Sequence, residues 1–343
     1  MSMIKYIIRR FLAAIPVLFG VLTLTFILSR LMPGDPVVAI LGTRFTQAQH
    51  ALWFHRLGLD RPLYTQYIIY LGQLFTGNWG TTMTIAKGLP VWNLIMERFP
   101  RTFDIAIFSV IIAAIVGLKT GVISATHRNK PRDTIIRGIA LIGVAIPVFW
   151  LGLILQLIFG HFITIGGQGL LPATGFKTGG YIDPPYITGE RIIDSLLSGN
   201  IYLIFDYLKH LILPVFCLSF ITIASITRQS RSSMLEVLQL DYVRTARAKG
   251  CKEKDVINKH ARKNALIPSV TVIGLNFGGL LGGAVLTETT FNLNGIGMAL
   301  VQAILHTDYW LLNGIVFLIT IVFITVNLAL DLIYGYLDPR IRY

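Results

Sequence analysis

The residues best spaced for chemistry lie in one polar stretch, "LQLDYVRTARAKGCKEKDVINKHARKNALIP", residues 238–268. Read as a helix, it puts Tyr242, Thr245, Ala246 and Lys249 at i, i+3, i+4 and i+7, on one face. The chemistry of such a face is recognition rather than bond-making. An aromatic ring enters a groove, small side chains let backbones approach, and flanking cations meet carboxylates at the rim. The run "SSMLEVLQLDYVRTARAK" reads as one helix, rich in leucine, alanine and arginine, which Gly250 ends in a left-handed cap. "KEKDVINKHARKNAL" then resumes helical character until Pro268. Two readings stand together: a soluble cytoplasmic partner docks here, or the stretch is a basic loop that only fixes topology.

Catalytic patterns are missing from the sequence. Nothing reads GxxxxGK followed by Ser or Thr, so no phosphate-cradling loop for ATP is encoded, and there is no HExxH or GxSxG. His161 and His210 have no third ligand in pattern, and Cys217 and Cys251 form no disulfide framework or metal spacing. No cofactor or metal is therefore expected on this chain.

Composition fixes the class. Only 14% of residues are charged, against about 25% in a soluble domain. With 54% hydrophobic residues and a mean hydropathy of +0.66, the chain is read as an all-α integral membrane protein. Six apolar segments are long enough to cross a bilayer: 11–29, 103–125, 134–160, 211–227, 266–287 and 312–334. The first follows the basic start "KYIIRR"; it is too long for a signal core and lacks a cleavage site, so it is read as a retained anchor. The fourth is short and interrupted by Pro214, and Pro147 predicts a kink in the third.

Placing both termini in the cytoplasm puts nineteen of the thirty lysines and arginines inside, Arg340 and Arg342 of the tail among them. The net charge of +13 is then mostly topological, and nucleic acid is not needed to explain it. Lys119 and Asp331 sit near inner span ends, where side chains reach the interface.

The chain divides into an anchor with an external segment (1–102), a membrane domain (103–337) with a cytoplasmic loop at 228–264, and a tail (338–343). The external part opens with "MPGDP" and holds two helix-like stretches, "TQAQHALWFHRLG" and "PLYTQYIIYLGQLFTG". Its aromatic residues, among them Trp53, Tyr64 and Trp79, fit either a contact surface for another protein or a small satellite core. In the fifth span Gly274, Gly278 and Gly282 recur every four residues, a pattern for close helix packing. Glu288, at the external end of that span, either lines a pathway or is simply hydrated at the interface.

"DYVRTARAKG" followed by "HARKNALIP" resembles the coupling loop of ATP-binding-cassette importer permeases. More narrowly, it resembles the dipeptide/oligopeptide/nickel permease family in its dipeptide branch. "RR", "MPGDP", "LGLDRPLYTQY", "GNWG", "LTETTF" with "GIGMAL", and "DLIYGYLDPRIRY" follow in the family's order, from about residue 5 to the end. The general importer pattern is Glu-Ala-Ala, three residues, then Gly. Here Arg244, Thr245, Ala246 and Gly250 take those places, and the Arg-Thr-Ala form is that of the peptide-permease branch.

The resemblance implies a type I importer permease fold. It further implies two ATPase subunits, carrying ATP and Mg, docked on Asp241, Tyr242, Arg244, Thr245, Ala246, Ala248, Lys249 and Gly250. A second, related permease, whose seam the glycine stripe would form, and an extracytoplasmic solute-binding protein complete the expected assembly in a prokaryotic cytoplasmic membrane. Peptides are the expected solute, with oligosaccharides or nickel complexes as alternatives. A self-contained secondary transporter would instead need acids near mid-span, which the sequence lacks.

Overall fold

The computed structural model describes residues 3–31, 34–42 and 44–337. Met32 and Pro33 of "MPGDP", and the tail 338–343 with Arg340 and Arg342, lie outside the described residues. The chain is built from helices in the order α1 (Met3–Leu31), α2 (Pro36–Leu41), α3 (Gln47–Arg56), α4 (Leu63–Phe75), α5 (Val91–Thr126), α6 (Pro131–Ala145) and α7 (Val148–Leu157). A wide turn at Ile158–Phe162 leads to a small hairpin, β1 (Thr164–Ile165) against β2 (Gln168–Gly169). Then come α8 (Arg191–Leu197), α9 (Ile201–Val237), α10 (Asp241–Ala248), α11 (Glu253–Asp255), α12 (Arg262–Ala265), α13 (Ile267–Gly283), α14 (Val285–Phe291), α15 (Ile296–Leu305) and α16 (Tyr309–Leu337).

Local chemistry sets several boundaries. Asp35 accepts from Val37 N, and Pro36 stands in the first turn, where its missing N–H costs nothing. Thr46 and Gln49 form a reciprocal capping box at the start of α3. The two helix-like stretches of the external segment thus become α3 and α4.

Helices α1, α5, α9 and α16 are each long and apolar enough to cross a membrane. Two bent pairs, residues 131–145 with 148–162 and 253–265 with 267–282, raise the number to six if each is one crossing. The stretch 134–160 breaks at Pro147 as expected, but far more sharply than a kink: its halves meet at 100°. Pro147 lacks the N–H that would continue α6 and drives Ile146 into extended backbone (φ −77, ψ 126). The fourth segment differs in the opposite sense. Pro214 sits inside α9 without ending it, and the helix runs 37 residues.

α5 and α9 pack along most of their length, while α16 packs on α1 and α13. A Cβ on Gly117 would lie 2.8 Å from Ile226, so the α5–α9 approach depends on that glycine. Without a hydrophobic driving force in lipid, such close packing is what holds helices together. Three apolar clusters organise the interior. The first gathers α1, α4, α5, α15 and α16 around Phe26, Tyr70, Ile95 and Leu311. The second joins α7, α9 and α14 around Tyr207, Leu211 and Phe291. The third lies where α5 and α9 end. Apolar side chains such as Leu12, Leu28, Leu141 and Leu153 are exposed, as lipid-facing residues should be.

The glycine stripe faces inward. Side chains added at Gly274, Gly278 and Gly282 would meet Leu330, Phe323 and Ile319, all on α16 of the same chain. Within this chain its partner is α16. Asp331 bonds to Arg10 at 3.2 Å and ties α16 to α1.

Candidate functional site: the polar segment 238–265

The long helix expected through "SSMLEVLQLDYVRTARAK" is broken. α9 stops at Val237, residues 238–240 turn, and α10 begins at Asp241. α10 then ends as the sequence predicts. Gly250 adopts φ +77, its N–H donates to Arg247 O (2.9 Å), and Cys251 N donates to Ala246 O (3.2 Å). That pair of bonds is a Schellman cap, whose left-handed residue is best filled by glycine.

The eight-residue helix has two faces. Val243 and Ala246 are buried with Ala125, Met234, Val256, Ala261 and Ala265, which seats α10 on the ends of α5 and α9. Asp241, Tyr242, Arg244, Thr245, Ala248, Lys249 and Gly250 are exposed. The expected common face is thus corrected at one position: Ala246 turns inward, because Val243 beside it carries the apolar surface that must be covered. The small residue fits the packed side, and Tyr242, Thr245 and Lys249 are left on the free side.

Polar bonds stiffen the segment. Tyr242 Oη accepts from Asn264 Nδ2 (2.8 Å). Arg247 makes a two-pronged pair with Glu253 (2.8 and 3.1 Å), and Lys259 pairs with Asp255 at 2.9 Å. Thr245 Oγ1 donates to Asp241 O, one turn back. Lys249 has no acidic partner among the described residues, which leaves its charge available at the surface.

Beneath α10, Arg231 of α9 reaches Asp133 of α6 through two bonds (Nε–Oδ1 2.8 Å, Nη2–Oδ2 2.9 Å). The same carboxylate accepts from Ser124 Oγ of α5 (2.5 Å) and Asn129 N (3.0 Å). Asp133 is fully buried, so three helix ends meet on one carboxylate. Sequence reasoning missed this pair. The available signal was a single acid set among Arg128, Lys130, Arg132 and Arg137.

Glu288 is neither hydrated nor at a surface: it is 0% exposed. It accepts from Thr102 Oγ1 (2.6 Å) and Met298 N (2.9 Å), at the amino end of α15, where a carboxylate is favoured. Its place is a pin between α5, α14 and α15. The aromatic trio of the external segment separates. Tyr64 is 70% exposed and Trp53 half-buried under the Arg56 guanidinium. Trp79 is interior, donating Nε1–H to Leu74 O and packed edge-on to Trp92 and Phe317, so it is withdrawn as a surface contact. Lys119 is exposed. His161 and His210 do not converge, and no metal-binding cluster of His, Cys, Asp or Glu occurs among the described residues.

Comparison with known proteins gives consistent results along the chain. Residues 117–343 match the family described as "Binding-protein-dependent transport system inner membrane component", and residues 3–106 match the corresponding N-terminal family. A "Di/tripeptide transport system permease protein" from Pseudomonas aeruginosa is 45% identical, covering 99% of both chains. A "Dipeptide transport system permease protein" from Alkalihalophilus pseudofirmus is 42% identical over 99% of this chain and 100% of that one. An "Oligopeptide transport system permease protein" from Bacillus subtilis is 37% identical over the same shares. Among solved structures, a chain of the MetNI methionine ABC transporter in inward-facing form superposes with TM-score 0.53 at 16% identity. It covers 73% of this chain and 98% of that one, a likeness of fold.

Proposed function

From the premise that this chain belongs to the binding-protein-dependent transport system inner membrane components, we propose that it forms half of the pathway of an ATP-driven importer of short peptides. Two ATPase subunits dock on the exposed face of α10, a second, related permease completes the pathway, and a solute-binding protein delivers the peptide from outside. Both chain termini then lie in the cytoplasm. The chain itself supplies no nucleotide site; ATP and Mg belong to the docked subunits.

The observation that carries this reading is the two-sided α10, fixed on one side by Val243 and Ala246 and exposed on the other at Tyr242, Arg244, Thr245 and Lys249. A helix held this way transmits a displacement instead of absorbing it. ATPase closure would shift α10, and with it the ends of α5 and α9, biasing the bundle between inward- and outward-facing states. Peptides are favoured over oligosaccharides and nickel complexes because the similar permeases serve di-, tri- and oligopeptide transport systems. Selection among peptides resides in the binding protein.

The test uses the assembled importer in proteoliposomes. Arg244→Ala with Lys249→Ala removes exposed groups that hold nothing else in place, so the chain should insert and melt as the native chain does. ATPase co-purification and peptide-stimulated hydrolysis should each fall at least about tenfold, the equivalent of about 1.4 kcal/mol of docking energy. Native coupling in this variant would rule the docking face out.

A further inference from the structure

Ten buried side-chain polar atoms lack a hydrogen-bond partner among the described residues, and four of them line one cavity: Arg30 Nε, Gln66 Oε1, Gln73 Oε1 and Asn313 Oδ1. Gln66 and Asn313 are only 8% and 7% exposed. The cavity measures about 240 Å³ and lies between the end of α1, the α3–α4 turn, α4 and the start of α16. It is at the opposite end of α1 and α16 from the Arg10–Asp331 pair.

Its electrostatics are one-sided. Arg30, Arg56 and Arg61 all line it, no aspartate or glutamate does, and Arg30, the most deeply set of the three, makes no ion pair among the described residues, while Arg61 has only the field of the exposed Asp60 nearby. The carboxylates of the neighbouring loop, Asp35 and Asp60, are bonded to His50 and His55. Arg30 lies over the Phe26 and Tyr309 rings, which hold the guanidinium without neutralising it. Water would fit, at about 30 Å³ each, and hydrates the exposed Arg56 and Arg61, but it brings no counter-charge to the half-buried Arg30.

The orphaned amides add a second requirement. Gln66 Nε2 already donates to Leu59 O and Arg61 O, so its Oε1 remains as an acceptor needing a donor. The occupant must therefore carry an oxyanion for the guanidinium groups and an N–H or O–H for the amide oxygens. Depth points the same way. Tyr309 and Trp310 stand at the start of α16, the position of an interfacial aromatic belt, and α4 exposes Leu63, Ile68 and Phe75.

We propose that this cavity binds a phosphate ester bearing a hydrogen-bond donor, the chemistry of an ethanolamine or glycerol phospholipid head group or of a soluble phosphomonoester. Bidentate arginine contacts hold the phosphate, and the ammonium or hydroxyl satisfies Gln66, Gln73 and Asn313.

The test uses the full-length chain in detergent, read by native mass spectrometry and thermal unfolding. The probes are phosphatidylethanolamine, phosphatidylglycerol, phosphatidylcholine and glycerol 3-phosphate. The comparison protein is Arg56→Gln with Arg61→Gln, two exposed positions whose replacement should leave the ligand-free melting point unchanged. Phosphatidylethanolamine or phosphatidylglycerol should raise the native melting point, with affinity at least about tenfold weaker in the variant. Binding by these lipids but not glycerol 3-phosphate assigns the site to lipid; equal binding by glycerol 3-phosphate assigns it to a soluble ester. Equal affinity in native chain and variant, no binding of any probe, or phosphatidylcholine binding as tightly as phosphatidylethanolamine overturns the proposal.

Discussion

Replacing Arg231 by methionine should be among the most damaging single changes in the chain, and its size follows from the geometry. Asp133 is fully buried, and among the described residues Arg231 is its one cationic partner, through bonds of 2.8 and 2.9 Å. Removing the guanidinium strands a carboxylate away from water, a loss of about 3–5 kcal/mol for a buried pair with one partner deleted. Asp133→Asn keeps an acceptor for Ser124 or Asn129 but gives up the charge, and should cost about 1–3 kcal/mol. In the double variant no charge is stranded, so its loss should fall short of the sum by about 1–3 kcal/mol. The assay is a four-corner cycle of denaturant unfolding in mixed micelles. An interaction energy within about 0.5 kcal/mol of zero would refute the reasoning, since independent sites add to that margin. So would native stability in the Arg231→Met chain.

Two further outcomes follow from the packing and the loops. Gly274→Leu drives a side chain into Leu330 and should destabilise the chain by about 1–3 kcal/mol or more, whereas Gly279→Leu, which meets open space, should leave the melting of the isolated chain unchanged. Asp194, at the start of α8, is buried, which raises its pKa, but bonds from Thr188 Oγ1 and from the N–H groups of Thr188, Ile187 and Gly189 outweigh burial and hold it below the usual carboxylate range. A depressed folded pKa stabilises above the unfolded value of about 3.9 and ceases to as pH drops through the folded one. Hydrogen exchange at residues 187–189 should therefore be slow at neutral pH and speed up, beyond its intrinsic pH dependence, only below about pH 4.

Much of the architecture was legible because membranes simplify the code. Runs of apolar residues announced the crossings, and Gly250 announced the end of α10 because only one residue type suits its backbone without strain. What stayed hidden was direction and partnership. The sequence puts Ala246 in line with Tyr242 and Lys249, but which arc of a short helix turns inward depends on what lies beneath it, here Met234 and Val256. The length of α9 was underestimated because "TRQSRSS" lowers its hydropathy. Inside a bundle, polar residues such as Ser230 and Ser233 are tolerated where they are enclosed by neighbours. Pro147 and Pro214 look alike in sequence, yet one makes a 100° elbow and the other none, because neighbouring helices decide whether the freed carbonyl is accommodated. For Trp79 the sequence leaves a contact surface and a satellite core open; the core wins because the ring packs against Phe317, over two hundred residues later.

The unbroken run of α9 has a mechanical meaning. Its 37 residues make a rod about 55 Å long at about 1.5 Å per residue. At one tip stands Ile201, just after α8, and at the other begins the turn into α10. A swing of about 5° pivoting on the tip next to α10 therefore carries the far tip about 5 Å, roughly one helical turn. A displacement smaller than a side chain at one end of such a rod becomes a much larger one at the other.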